Sequence, residues 1–371
     1  MIHECGHFVA ARKNKVLVEE FGFGLPPRLW GKKKGDTIYS LNWIPFGGFV
    51  KMLGEDGDDE KSAHDMRSFR CKSIGARMFI VLAGVAMNFI LAWILITGLF
   101  IYGMKPLAVV PDELADYSSY ILMKESVAKQ AGLFVERKDL ISRPGVPIMK
   151  VMTGKAAEKY GVEEGDIIKK VAGEVVSDSK AVAKIIKSNA GKNVIFEMWR
   201  GEKVLTLNID IPTGGQIGVG LGVNGYFDLS KKIFKFPVWQ APIVALQEII
   251  NVGWGTLKVF ATVLLQIFTR FEVSEQVSGP VGIFSITNQL VQSKSVMALI
   301  QLMAVLSISL SVINVFPFPA LDGGRFVFLL YEAVMRKRPS EKFEGFVNAF
   351  GFIFLIGFLF FITFKDILRL F

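Results

Sequence analysis

His3-Glu4-Cys5-Gly6-His7 stands at the start of the chain and uses two of its three histidines. On a helix, residues i and i+4 share a face, so both imidazoles can reach one zinc ion while Glu4 faces a water on that metal. This is the H-E-x-x-H spacing of zinc-dependent peptidases. Cys5 points off the His3/His7 face and reads as a small packing residue. The plainer reading, histidines that merely cap or fill a helix end, is weighed against the rest of the chain.

The residues around that helix place it in a membrane. Of 371 residues, 51% are hydrophobic, the mean hydropathy is +0.41, and the apolar residues fall in long runs, unlike those of an ordinary soluble enzyme. Met78 to Met104, Ser295 to Leu321 and Gly345 to Phe364 carry no charge, and each is long enough to cross a bilayer as a helix. Residues 1–11 are apolar apart from the motif but fall short of the roughly 20 residues a span needs. The first helix is therefore expected to start upstream of Met1. Residues 237–270 are strongly apolar but interrupted by Glu248, Asn251, Lys258 and Gln266 at helical spacing, which favours an interface-lying amphipathic helix over a further crossing.

The net charge of +9 follows topology and gives no nucleic-acid footprint. Lysines and arginines crowd residues 12–77 and the link Arg336-Lys337-Arg338 to Lys342. The positive-inside rule puts both in the cytoplasm and the long segment from Lys105 to about Lys294 outside it. The two cysteines, Cys5 and Cys71, both lie outside that segment, so no disulfide framework is indicated. His64, in the polar stretch Glu55 to Asp65, reads as a solvated loop residue.

Between Gly145 and Ile211 the pattern changes to that of a small α/β domain. A strand is expected at Val146–Val151, a helix at Ser179–Ser188, and a strand pair at Val194–Arg200 and Lys203–Ile209 across Gly201-Glu202. The segment resembles a bacterial PDZ domain, which binds extended peptide ends by strand addition. The groove is expected between Val146–Val151 and the Ser179–Ser188 helix. Ligand capture and simple exclusion of bulky substrates both remain open.

A second constellation ends the third apolar run: Asn314-Val315-Phe316-Pro317-Phe318-Pro319-Ala320-Leu321-Asp322-Gly323-Gly324. Asp322 at the end of an uncharged stretch calls for a partner, and a zinc ion on His3 and His7 supplies one. Two histidines and one carboxylate leave a fourth tetrahedral position for water, as in a catalytic zinc site. Pro317 and Pro319 break the helix, which membrane depth tolerates only where the freed backbone is buried or lines a cavity. Without the histidines, Asp322 would read as the N-cap of a helix from Arg325 to Met335.

Taken together, His3-Glu4-x-x-His7, Asn314-x-x-Pro317-x-Pro319-x-Leu321-Asp322-Gly323 and the PDZ-like insert resemble the site-2 protease family of intramembrane zinc metalloproteases. The resemblance covers nearly the whole chain and lies closest to the bacterial regulator of sigma-E protease type, with a single PDZ domain. Pro45-Phe46-Gly47-Gly48-Phe49-Val50-Lys51-Met52 is similar to that branch's membrane-embedded β-hairpin, Ala83-Gly84-Val85-Ala86-Met87-Asn88 to its second-helix motif, and Ser278-Gly279-Pro280-Val281-Gly282-Ile283 to the segment before its third helix. Val85 stands where the family usually has proline.

The resemblance implies a polytopic α-helical membrane protein of about four transmembrane helices. Residues 1–104 would hold the first two and a hairpin near 37–52; residues 105–214 the extracytoplasmic PDZ-like domain, core 145–211; residues 215–294 amphipathic peripheral helices; residues 295–371 the last two spans. His3, His7 and Asp322 would hold Zn²⁺ and Glu4 would act as base. Asn314 would donate to the substrate, and Gly47, Gly48, Phe49, Val50 and Lys51 would accept an unwound segment by strand addition. The implied substrates are single-pass proteins of the bacterial plasma membrane already trimmed outside it, such as anti-sigma factors, or remnant signal peptides. Two alternatives are carried beside this: a zinc-free PDZ adaptor and a surface peptidase acting on soluble peptides.

Overall fold

A computed structural model describes residues 1–55, 65–110, 112, 119–136, 145–152, 154–176, 178–222, 225–270 and 279–368. The chain divides into two compact units, Met1–Glu125 with Lys232–Phe371, and Ser126–Lys231. In chain order, the first unit opens with α1 (Ile2–Lys13), β1 (Val18–Lys34), β2 (Thr37–Met52), α2 (Ile74–Tyr102) and the parallel pair β3 (Ala108–Val110) and β4 (Leu122–Lys124). Then follow α3 (Glu125–Gln130), β5 (Phe134–Glu136), β6 (Val146–Val151), α4 (Ala156–Lys159), β7 (Ile167–Val171), β8 (Glu174–Val175), α5 (Ser179–Ser188), β9 (Asn193–Arg200), β10 (Lys203–Asp210), β11 (Val219–Leu221) and β12 (Gly225–Phe227). The first unit resumes with α6 (Ala241–Arg270), α7 (Pro280–Gln292), α8 (Val296–Val315), α9 (Asp322–Met335) and α10 (Glu341–Leu368).

Ile74–Tyr102, Ala241–Ile267, Val296–Val315 and Lys342–Leu368 are each long and apolar enough to cross a membrane. Their ends follow from local chemistry. The Ser73 hydroxyl accepts from the Ala76 N–H to start α2, which stops at Gly103 with φ of 106°. Ser295 caps α8 in the same way. On α10, Ile353 and Phe360 are 70% and 71% exposed, a surface that lipid covers and water would not tolerate. The fold is that of a polytopic helical membrane protein with a PDZ-like domain.

The segment 237–270 differs from the expected interface-lying helix. Its residues Ala241–Arg270 form one continuous helix, α6, whose Ala241, Ala245, Ile249 and Val252 share a buried cluster with Ala92, Ile96 and Phe100 of α2 and Ala304 and Ile308 of α8. Glu248 misled the periodicity because it is buried, not solvated. Its carboxylate accepts from the Ser119 hydroxyl at 2.5 Å and from the N–H groups of Tyr120 and Ile121 at 3.0 and 2.8 Å. A buried carboxylate satisfied this way leaves the same sequence trace as a water-facing one. At the other end of the unit, Asp366 of α10 accepts from the N–H groups of Gly279 and Gly282, both at 2.8 Å, at the start of α7.

The hairpin also differs from its expected extent. Thr37–Met52 is one long strand, and its partner is Val18–Lys34. Both strands double back, so that Phe21 pairs with Tyr39 on one side and Val50 on the other, while Lys34 pairs with Thr37. Residues 48–52 thus form one margin of the ribbon among the described residues, and residues 28–34 the other. The first strand escaped detection because its charges, Glu19, Glu20, Arg28 and Lys32 to Lys34, sit among exposed apolar residues such as Leu29 and Trp30, which blurs any period of two.

In the second unit the sheet runs in the order β10-β9-β7-β6-β11, with β8 on β7. Val146, Ile168, Phe196, Met198 and Ile209 of the strands pack with Val182 and Ile186 of α5 in one buried core. Asp178 caps α5, its carboxylate accepting from the Ala181 N–H at 2.7 Å. The strand expected to border the groove is not an edge. β6 lies between β7 and β11, with Val146 opposite Ile168 and Lys150 opposite Gly220, so its ladder is occupied. The outer strand on the β6 side among the described residues is β11, and Ile217 before it shares the core with α5. Three residues between glycines carry no readable alternation. Residues 215–231 accordingly belong to this unit and not to peripheral helices.

Glu248→Ala leaves the buried N–H of Ile121 without its carboxylate and is expected to cost about 1–3 kcal/mol. Thermal unfolding in detergent measures it: a lowered midpoint, with Glu248→Gln milder, is the expected result, and an unchanged midpoint for Glu248→Ala would be inconsistent with this role.

Candidate metal centre

Two glycines let α1 lie against α2. A Cβ on Gly6 would stand 2.2 Å from the Ala83 carbonyl oxygen, and one on Gly84 would stand 2.3 Å from His7 Nε2 and 2.8 Å from His3 Cε1. Small residues at a membrane helix crossing allow this approach. The His7 ring then reaches the α2 backbone, where its Nδ1–H donates to the Ile80 carbonyl at 2.9 Å. A carbonyl can only accept, so Nε2 of the neutral ring carries the free lone pair. His3 stands edge-on to His7, with ring centroids 4.7 Å apart at 85°.

The third member arrives from the other end of the chain. α8 stops at Val315, the prolines interrupt the backbone, and Ala320 takes a left-handed φ of 68° before α9 begins. Gly323 and Gly324 make this turn possible, since Cβ atoms there would stand 2.2 Å from the Val315 and Phe316 oxygens and 2.3 Å from that of Phe318. Leu321, not Asp322, is the N-cap of α9, and no side chain caps the helix. Asp322 instead turns to the histidines: Oδ2 stands 3.0 Å from His3 Nε2 and 3.3 Å from His7 Nε2, and the two nitrogens are 3.1 Å apart.

These three atoms fit a metal ion. Asp322 Oδ2 is buried, and no hydrogen bond accounts for it. Lone pairs brought this close repel unless a cation lies among them. Ligand atoms at zinc–ligand lengths of about 2.0–2.1 Å in tetrahedral array are about 3.3 Å apart, near the spacings found here. Among the described residues, His3, His7 and Asp322 form the one such cluster, and Cys5 is not in it. No side-chain partner holds His3 Nδ1.

The site residues expected from sequence converge. A cavity of about 620 Å³ is lined by Glu4 and the three clustered groups, and by Phe49, Val50 and Lys51 of the ribbon margin. A Cβ on Gly48 would stand 2.6 Å from Met1 Sδ and 3.5 Å from Glu4 Cγ, so the margin runs close beside Glu4. Gly47, inside β2, has a left-handed φ of 73° and open space where a Cβ would be. Asn314 Nδ2 lies 3.5 Å from His3 Nε2, at the site but beyond hydrogen-bond length. Sequence reasoning missed Arg325 and Asn348, which line the same cavity, and the Ile80 carbonyl, which leaves no trace in a sequence. Arg325 pairs with Glu55. His64 lies outside the described residues.

A histidine pair and a carboxylate beside a glutamate, on helices built for lipid, define a membrane-embedded metallopeptidase. Family comparison agrees: the profile of Peptidase family M50 matches residues 1–358, and the chain belongs to that family, a zinc metalloprotease of site-2 type. It is 27% identical over 434 residues to the regulator of sigma-E protease RseP of Escherichia coli, covering 100% of this chain and 96% of that one. It is 27% identical to the zinc metalloprotease RasP of Shouchella clausii over 451 residues, with 100% and 96% covered. A Clostridium perfringens protein classed as a zinc metalloprotease is 30% identical over 370 residues, with 99% and 95% covered. The solved PDZ domain of an SdrC-like protein from Listeria monocytogenes aligns with 21% of this chain and 88% of its own length at 26% identity, with a TM-score of 0.20.

Gly84→Ala places a methyl group where the two imidazoles stand. The expected result, by metal analysis of the purified protein, is zinc well below one per chain with helical content retained; full zinc occupancy would show that the crossing has slack.

Proposed function

We propose that the protein hydrolyses peptide bonds within the membrane-embedded segments of single-pass proteins, with His3, His7 and Asp322 holding Zn²⁺ and Glu4 as the base. The observation that carries this reading is the single cavity in which the convergent Nε2, Nε2 and Oδ2 atoms, Glu4 and the ribbon margin meet. It also counts against a zinc-free adaptor, which has no use for a base beside three lone pairs.

When bound there, zinc supplies Lewis-acid activation of water and of the scissile carbonyl. Glu4 takes the proton of the attacking water and hands it to the leaving amine as the C–O bond forms and the C–N bond breaks. The Asn314 amide donates to the substrate backbone. A helical substrate hides its carbonyls in i to i−4 bonds, so it must unwind first. Residues Gly47 to Lys51 then take the extended segment as an added strand, which satisfies its freed backbone groups at membrane depth.

The physiological substrates are proteins already trimmed outside the membrane, such as anti-sigma factors, or remnant signal peptides. The basic stretches 12–77 and 336–342 face the cytoplasm of a bacterial plasma membrane and the PDZ-like domain faces outward. The groove between β11 and α5 receives the trimmed, extended ends, and untrimmed substrates are kept away.

The test is cleavage of a tagged single-pass reporter in detergent. Glu4→Gln is expected to lower the rate by about 10²–10⁴-fold while keeping its zinc, and a chelator to stop cleavage until zinc is returned. A chain that cuts soluble peptides as readily as the membrane segment would favour a surface peptidase instead. Removing residues 126–231 is expected to let untrimmed reporter be cut; continued exclusion would remove the gating role.

A further inference from the structure

A buried ion pair outside the lining of the cavity joins the two helices on which the centre depends. Arg77, on the first turn of α2, is 5% exposed, and Glu332, near the end of α9, is 8% exposed. The guanidinium grips the carboxylate with two hydrogen bonds, Nη1 to Oε2 at 3.0 Å and Nη2 to Oε1 at 2.6 Å. Arg338 Nε adds a third at 2.9 Å, and its Nη2 donates to the Arg70 carbonyl at 2.9 Å. Charged groups withdrawn from water are no more stabilising, as a rule, than apolar residues of the same volume. A planar, two-pronged grip does fix direction.

The position of the pair gives that direction a use. Ile80, whose carbonyl holds the His7 ring, lies three residues after Arg77, one helical turn along α2. Gly84, which makes room for both imidazoles, lies one turn beyond Ile80. α9 begins with Asp322 and ends near Glu332. Its start is pinned to the end of α8 by the Gly323 and Gly324 contacts, which leaves its tilt on α2 to be set elsewhere.

We propose that the Arg77–Glu332 pair is a positioning element of the metal centre, setting the tilt of α9 on α2 and so holding the Asp322 carboxylate against His3 and His7. α2 is then the common reference for all three ligands, one turn holding His7 and the preceding turn holding the Asp322 helix. This inference rests on the zinc site proposed above, and residues that orient metal ligands indirectly typically change metal affinity or activity by about 10–100-fold when altered.

The test replaces the pair with apolar residues, Arg77→Met with Glu332→Met, which removes the grip; Arg338, half-exposed, loses its bond to Glu332 but keeps the Arg70 carbonyl and water. Zinc affinity is read by chelator competition, thermal unfolding as the fold control, and reporter cleavage as kcat and KM. The expected result is zinc affinity weakened about 10–100-fold and kcat lowered at unchanged KM, with the unfolding midpoint near that of the wild type. Wild-type affinity and kcat in the double variant would overturn the proposal and leave the zinc site standing. A wild-type chain that binds no zinc would overturn both. Arg77→Lys, which keeps the buried charge but loses the two-pronged grip, is the second variant. Severalfold weaker zinc binding supports the proposal, and unchanged affinity overturns it whether or not the double variant folds.

Discussion

The structure depends on the approach of α1 to α2 at Gly6 and Gly84. Any side chain at either position would strike the Ala83 backbone or the imidazoles themselves. Lipid tails are as apolar as leucine, so close packing and satisfied polar groups, not water exclusion, hold membrane helices together. Here the crossing does both. It brings α1 near enough for the His7 Nδ1–H to use the Ile80 carbonyl, which fixes both the tautomer and the ring plane. Everything at the site follows from that orientation, because Asp322 can meet two lone pairs only if both point the same way.

Hydrolysis at membrane depth needs polar chemistry inside an apolar solvent. The chain meets this with irregular backbone where it lines a cavity: the doubled ribbon on one side and the broken turn from Phe316 to Leu321 on the other. The ribbon margin offers backbone groups to a partner strand, normally a liability in a soluble protein. In the mechanism proposed above, that same margin, beside Glu4 and the His3, His7 and Asp322 cluster, holds the unwound substrate.

The convergence of His3, His7 and Asp322 was legible because these residues are out of place by ordinary rules. Two of three histidines at i and i+4, and a lone carboxylate after an uncharged run, have no cheaper explanation. Val146–Val151 and Ser179–Ser188 were legible with the bounds they have, and Lys203–Ile209 to within one residue, from alternation and turn residues. What failed did so for physical reasons. Glu248 is satisfied by backbone N–H groups brought from residues 119–121, a long-range event that local periodicity cannot show. From Leu25 onward β1 is exposed on both faces, so it lacks the one-sided pattern of a half-buried strand. β11 is three residues among glycines, and only its pairing with β6 makes it a strand. The Arg77–Glu332 pair joins positions 255 apart, each reading alone as an ordinary helix-end charge.

The most direct test of the account is the zinc K-edge X-ray absorption spectrum of the purified protein. The account requires a first shell of nitrogen and oxygen at about 2.0–2.1 Å with imidazole outer-shell scattering from two rings and no sulfur. A sulfur shell at about 2.3 Å, which would bring in Cys5, or a spectrum without imidazole, would contradict the His3, His7 and Asp322 centre on which the rest is built.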